Sequence, residues 1–202
     1  MEENAYDILL EYAKRSGLKY ACNNVDYHFA LVPSDPWANK KYIVIEKNDS
    51  FFMAYDSFGT RYGSSFTKSG IYKKIKLELG SDIEVHPKDW ADFLIRRNKI
   101  KTDSSYVNKK LTVCSRSRNF PLHLFTKKAV DRFVKISGQI QPLKLIIKHD
   151  DITMINELKA QTIVGLETNK WIYKERDLNI LLNKGIDILE IMSPNERVVE
   201  TW

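Results

Sequence analysis

The sequence is poor in most of the features that identify an enzyme or a membrane protein. Cys22 and Cys114 are its only cysteines, 92 positions apart, and there are only four histidines. Without paired cysteines or CxxC spacing, neither a disulfide framework nor a structural metal site is expected, and both thiols are predicted to be buried. No apolar run approaches the roughly 18 residues that a membrane span needs. The opening MEENAYDILLEYAKRSG has neither the basic end nor the apolar block of a secretory signal, so the expected compartment is the cytosol. There is no G-x-G-x-x-G, P-loop, HExxH or G-x-S-x-G motif, and no cofactor is predicted. Internal repeats and low-complexity linkers are absent as well.

What is present is enough apolar matter for a core. The chain has 202 residues, 43% hydrophobic and 11% aromatic, which rules out global disorder. It is read as a single α+β domain over 1–202, or as two similar-sized halves meeting near 96–110. The charge is uneven. Between Arg96 and Arg118 stand eight basic residues, Arg96, Arg97, Lys99, Lys101, Lys109, Lys110, Arg116 and Arg118, against the single acid Asp103. That exceeds the net +6 of the whole chain, so the remainder is close to neutral. A local cationic stretch of this kind raises the odds of a polyanionic partner without specifying one.

Periodicity supplies the elements. Ala5, Leu9, Tyr12 and Ala13 predict a helix over 2–16, with Gly17 placed for positive φ just past its end. Alternating runs follow at Leu18–Cys22 and Tyr27–Leu31, with a turn at 33–36. The apolar runs 42–45 and 51–55 flank a hairpin loop at 47–50 and are predicted to be covered on both faces. A long alternating strand is expected over 71–79 and a short one over 82–85, with Pro87 opening a helix whose buried stripe is Trp90, Phe93 and Leu94. Residues 100–106 read as a loop, in which Thr102 to Ser105 cap backbone N–H groups. A strand follows at 111–114. Thr126 caps the strongest helix, which Gly138 ends. Strands are expected at 143–148 and 162–166, with a third at 171–173. A closing helix over 175–191 is expected to break at Gly185. Grouped strands with spaced helices give an α+β class, mostly antiparallel or mixed sheet packed against about four helices.

Several of these segments occur in an order that resembles a family of bacterial domains of unknown function, often found tethered to the membrane. The matching residues are Asp82–Pro87, Lys99–Asp103, Val107–Val113 and Leu124-Phe125-Thr126. Asn108 stands where that family usually has an acid, and no membrane segment adjoins the match. The resemblance implies a fold and no reaction.

Two patterns suggest catalysis. Glu157-Leu158-Lys159, with Asp150 and Asp151 upstream, has the E-x-K form of metal-dependent nucleases, in which carboxylates hold Mg²⁺ and a lysine sits near the attacking water. The alternative for these residues is a solvated hairpin. His28-Phe29-Ala30 and His123-Leu124-Phe125-Thr126 resemble the paired His motifs of two-histidine phosphoesterases, but Ala30 and Phe125 occupy the positions where a hydroxyl should follow, and His123 is predicted to be partly buried. The expected role is therefore non-enzymatic binding. A protein partner would be met by the aromatic residues Trp37, Phe58 and Tyr62 together with the basic stretch. Nucleic acid is the alternative, with phosphates on the cations and a base on Tyr106. A nuclease acting through Asp151, Glu157 and Lys159 is the third.

Overall fold

The computed structural model describes residues 2–23, 40–58, 65–78, 80–89, 98–117, 119–140, 142–149, 152 and 155–193. Among these residues nine strands form one antiparallel sheet. They are β1 (Lys19–Asn23), β2 (Lys40–Lys47), β3 (Ser50–Phe58), β4 (Ser65–Lys74), β5 (Ile83–Pro87), β6 (Lys99–Ile100), β7 (Leu111–Ser115), β8 (Lys144–His149) and β9 (Thr162–Thr168), in the order β1-β2-β3-β4-β9-β8-β5-β7-β6. The α-helices among the described residues are α1 (Glu2–Arg15), α2 (Ser105–Lys110), α3 (Lys127–Ser137), α4 (Glu175–Ile180) and α5 (Ile186–Met192). The α+β expectation holds. Among the described residues no helix is long and apolar enough to cross a membrane.

The β2–β3 hairpin turns at Asn48 and Asp49, both at positive φ (51° and 53°), the geometry whose twist matches that of the flanking strands. Alternation then divides the side chains between two layers. Ile43, Ile45, Phe52, Ile71, Val85, Leu145, Ile147 and Leu166 face the helices. There they meet Leu9 and Ala13 of α1, Val130 and Phe133 of α3, and Leu178 and Leu189 of the closing helices. On the opposite face Val44, Phe51, Met53, Tyr72, Ile146 and Ile163 are covered by Ile152, Ile155 and Leu158 of the β8–β9 connection. The continuous apolar runs are thus buried on both sides, as expected, but a connecting segment rather than a helix forms the second cover.

Tyr72 lies across β9. A Cβ on Gly165 would stand 2.4 Å from Tyr72 Cδ1, and one on Gly70 would stand 2.6 Å from the Tyr72 hydroxyl. Both glycines therefore make room for one ring, whose hydroxyl donates to Glu167 at 3.3 Å. Glu167 is fully buried, with Lys144 Nζ at 3.0 Å and Lys68 Nζ at 3.5 Å. Lys144 also reaches Glu84 Oε1 at 3.0 Å, and His86 Nε2 lies 3.7 Å from the other oxygen of Glu84. A charged network thus crosses β4, β9, β8 and β5 beside the second apolar layer.

Several expectations need correction. Cys22 is exposed on the outer strand β1 and Cys114 is only partly buried. The strand predicted over 71–79 is β4, which starts at Ser65 and ends at Lys74, where its pairing with Ile163 ends. Ile75 and Leu77 continue the alternation as an extension tied to Thr162 by one backbone and one hydroxyl bond. Pro87 closes β5 instead of opening a helix, while Trp90, Phe93 and Leu94 lie outside the described residues. Residues 171–173 form no strand, and Trp171 instead donates its indole N–H to Asp56. The loop expected over 100–106 is shorter: Ile100 ends β6, and Ser105 and Tyr106 open α2, because Ser104 caps that helix by accepting from the Val107 N–H. At Gly185 the closing helix widens into a π-turn (Leu181–Gly185) and does not break. The 27–31 strand and the 33–36 turn lie outside the described residues.

Candidate functional site

The described part of the basic stretch, 98–117, lies at the far edge of the sheet. Among the described residues β6 is the last strand of the sheet and pairs with β7, with Lys99 opposite Cys114 and Ile100 opposite Val113. Ile100 packs against the helix-side core, so alternation turns Lys99 to the other face. Lys101 follows β6, and Arg116 follows β7. Lys109 comes from α2 and is brought to the edge by a side-chain clasp. Asn108 Oδ1 accepts from the Thr102 N–H at 2.9 Å and from its hydroxyl at 3.0 Å, while Asn108 Nδ2 donates to the Thr102 carbonyl at 2.7 Å.

That clasp gives the asparagine at position 108 a physical reason. It must donate and accept at once, which a carboxylate does not do. Asn108→Asp is expected to cost about 1–2 kcal/mol, since the Thr102 carbonyl loses its donor and faces a negative charge. Urea unfolding measures the loss, and a shift within about 0.3 kcal/mol would show that the clasp holds nothing together.

Lys99, Lys101, Lys109 and Arg116 are exposed, and no acidic side chain pairs with them among the described residues. Lys110 differs. Its ammonium and the Tyr106 hydroxyl both donate to Asp131 on α3. The Lys110 hydrogen bond, followed by that of Tyr106, holds the Asp131 carboxyl below its usual range. Lys110 and Lys127 also stand over the Tyr106 ring, 5.0 and 5.8 Å from its centroid. Tyr106 is therefore committed within the fold, and its ring is not offered to a base. Arg96, Arg97 and Arg118 lie outside the described residues.

Beside β6 runs a groove of about 490 Å³ lined by Lys99, Lys101, Thr102, Asp103, Phe120 and Leu122. Phe120 is half-buried and packs on Phe125, ring centroids 4.5 Å apart. The sequence signal for Phe120 is its place just beyond the basic run, but nothing local ties it to Lys99.

The remaining candidates are dispersed. Glu157 is exposed on a 3-10 turn (Asn156–Leu158) between β8 and β9, near Lys19, and the exposed Lys159 follows that turn, while Asp150 and Asp151 lie outside the described residues. Among the described residues no group of three or more His, Cys, Asp or Glu side chains is placed to hold a metal ion. His123 is exposed rather than partly buried, and His28 is outside the described residues. Trp37 and Tyr62 also lie outside them, and of Phe58 only its place at the end of β3 is described. No family model, curated protein or solved structure matches the chain.

Proposed function

We propose that the protein is a non-enzymatic, cytosolic binding module that holds a single strand of nucleic acid along the β6 edge. One observation carries the reading: Lys99 and Lys101, neither paired with an acidic side chain among the described residues, line the same groove as Phe120. Cations that track a backbone beside an aromatic side chain form the usual single-strand platform, because every base has a π-face and every linkage a phosphate. Lys109 and Arg116 extend the cationic strip at its two ends. A protein partner would meet the same cations.

Anisotropy titrations with labelled oligo(dT) and oligo(U) at several salt concentrations test it. With four phosphates contacted, log K is expected to fall with log salt at a slope of about −3. A Lys99→Glu, Lys101→Glu double variant is expected to weaken binding by at least about tenfold. No binding at low salt, or a salt-independent affinity, rejects the proposal. Retained pull-down of an acidic protein by the wild type alone, without oligonucleotide binding, would favour the protein-partner reading.

A further inference from the structure

We propose that the β6 groove selects guanine, with the Asp103 carboxylate receiving the pairing edge of a base that lies against Phe120; this rests on the single-strand reading above and deepens it. Asp103 is the one acid in the cationic stretch from Arg96 to Arg118, and it lines the groove together with Lys99, Lys101 and Phe120. It is exposed, and no basic side chain pairs with it among the described residues. A lone carboxylate beside a path for phosphates repels the ligand, unless some other part of the ligand meets it. The base is that part.

Both neighbours of Asp103 are fixed. Asn108 engages the N–H, carbonyl and hydroxyl of Thr102, and the Ser104 N–H donates to that hydroxyl at 3.3 Å. Ser104 in turn accepts from the Val107 N–H at 3.2 Å as the cap of α2. The carboxylate therefore stands on an ordered backbone, and little freedom is lost when a ligand meets it. Phe120 packs on Phe125, and Ile100 and Leu122 complete an apolar lining on which a flat ring can rest. The bases differ in what their pairing edges offer an ionised carboxylate, which only accepts. Guanine presents two adjacent donors, N1–H and the N2 amino group, in a fork that matches the two carboxylate oxygens. Adenine and cytosine place a ring-nitrogen acceptor beside their one amino group. Thymine and uracil flank their single N–H with two carbonyls. Each of those edges sets a lone pair against the carboxylate, and guanine alone does not.

The test is an anisotropy titration of the full chain with labelled thymidine oligomers in which every third base is guanine, hypoxanthine or adenine, beside the all-thymine oligomer. Guanine is expected to tighten binding at least about tenfold over thymine and adenine, the effect of one bidentate pair. Hypoxanthine lacks only the N2 amino group and is expected to lose most of that gain. Asp103→Asn is expected to erase the guanine preference and to bind the all-thymine oligomer more tightly, because a like charge leaves the phosphate path. Equal affinities for guanine and hypoxanthine overturn the inference, as does a guanine preference that survives in Asp103→Asn. Binding of every oligomer with one affinity overturns it while leaving the single-strand reading intact, whereas no binding at low salt rejects both. The guanine–hypoxanthine contrast uses the unmodified chain, so it decides the matter even if Asp103→Asn fails to fold.

Discussion

Lys144→Met is expected to destabilise the protein by about 3 kcal/mol, because it leaves two carboxylates without their shared cation. Glu167 is fully buried and would retain only Lys68 at 3.5 Å and the Tyr72 hydroxyl at 3.3 Å. Methionine matches the volume of lysine, so the loss reports charge and not packing. Neutralising the acid as well, in Lys144→Met with Glu167→Gln, is expected to recover about half of it, since breaking a buried pair costs more than removing both partners. Urea midpoints at constant m-value provide the measurement, and a single-variant loss below about 1 kcal/mol would mean that the network is solvated. The same pair sets an alkaline limit. Burial lowers the tendency of Lys144 to hold its proton, but Glu167 and then Glu84 outweigh it, and the net shift is upward from 10.5. A raised lysine contributes its full stabilisation below 10.5 and loses it as pH rises through the higher folded value.

Gly165→Ala is expected to cost about as much, roughly 3 kcal/mol, at the upper end for overpacking a core. The new methyl would meet Tyr72 Cδ1 at 2.4 Å, Tyr72 Cε1 at 2.9 Å and the Ile71 carbonyl at 3.1 Å. Neither the ring nor the backbone has room to retreat. Moving Tyr72 gives up its bond to Glu167, and moving Ile71 disturbs the β4–β9 ladder. In a Tyr72→Ala background the added methyl is expected to cost under about 1 kcal/mol, and this difference isolates the steric coupling. Gly185→Ala is the control. Its methyl would meet Ile71 Cγ2 at 3.4 Å and Leu166 Cδ1 at 3.5 Å, ordinary contacts, at a helical φ of −65°. That substitution is expected to be neutral or to stabilise by up to about 1 kcal/mol through helix propensity. Equal losses at Gly165 and Gly185 would refute the steric account.

What the sequence reveals and what it hides separate along physical lines. Elements fixed by neighbours in the chain are legible. The Asn48-Asp49 turn, the Thr126 cap and Gly17 at φ +61° all obey local rules. α2 is too short to show a period, and its one readable sign is Ser104 as a cap. The alternation through Ile75 and Leu77 outlasts β4 because burial and ladder pairing end at different residues. Charge density along the chain is visible, but neutralisation is not. Lys110 looks like its neighbour Lys109 until the fold brings Asp131 from α3. The charged network is the extreme case, since Glu84 on β5 meets Lys144 of the β8–β9 hairpin across 60 positions of sequence. Its one hint is an acid, Glu167, at the end of the apolar run Ile163 to Leu166.

The strand order carries a consequence for synthesis. β4 and β5 are consecutive strands in the chain, yet β9 and β8 separate them in the sheet. A ribosome that has emitted the protein only as far as α3 has therefore produced two sheet fragments with bare facing borders and nothing to join them. The final hairpin is the keystone. Until it emerges, those borders are free to pair with another nascent copy, so this topology favours slow closure and makes a holdase chaperone useful during translation.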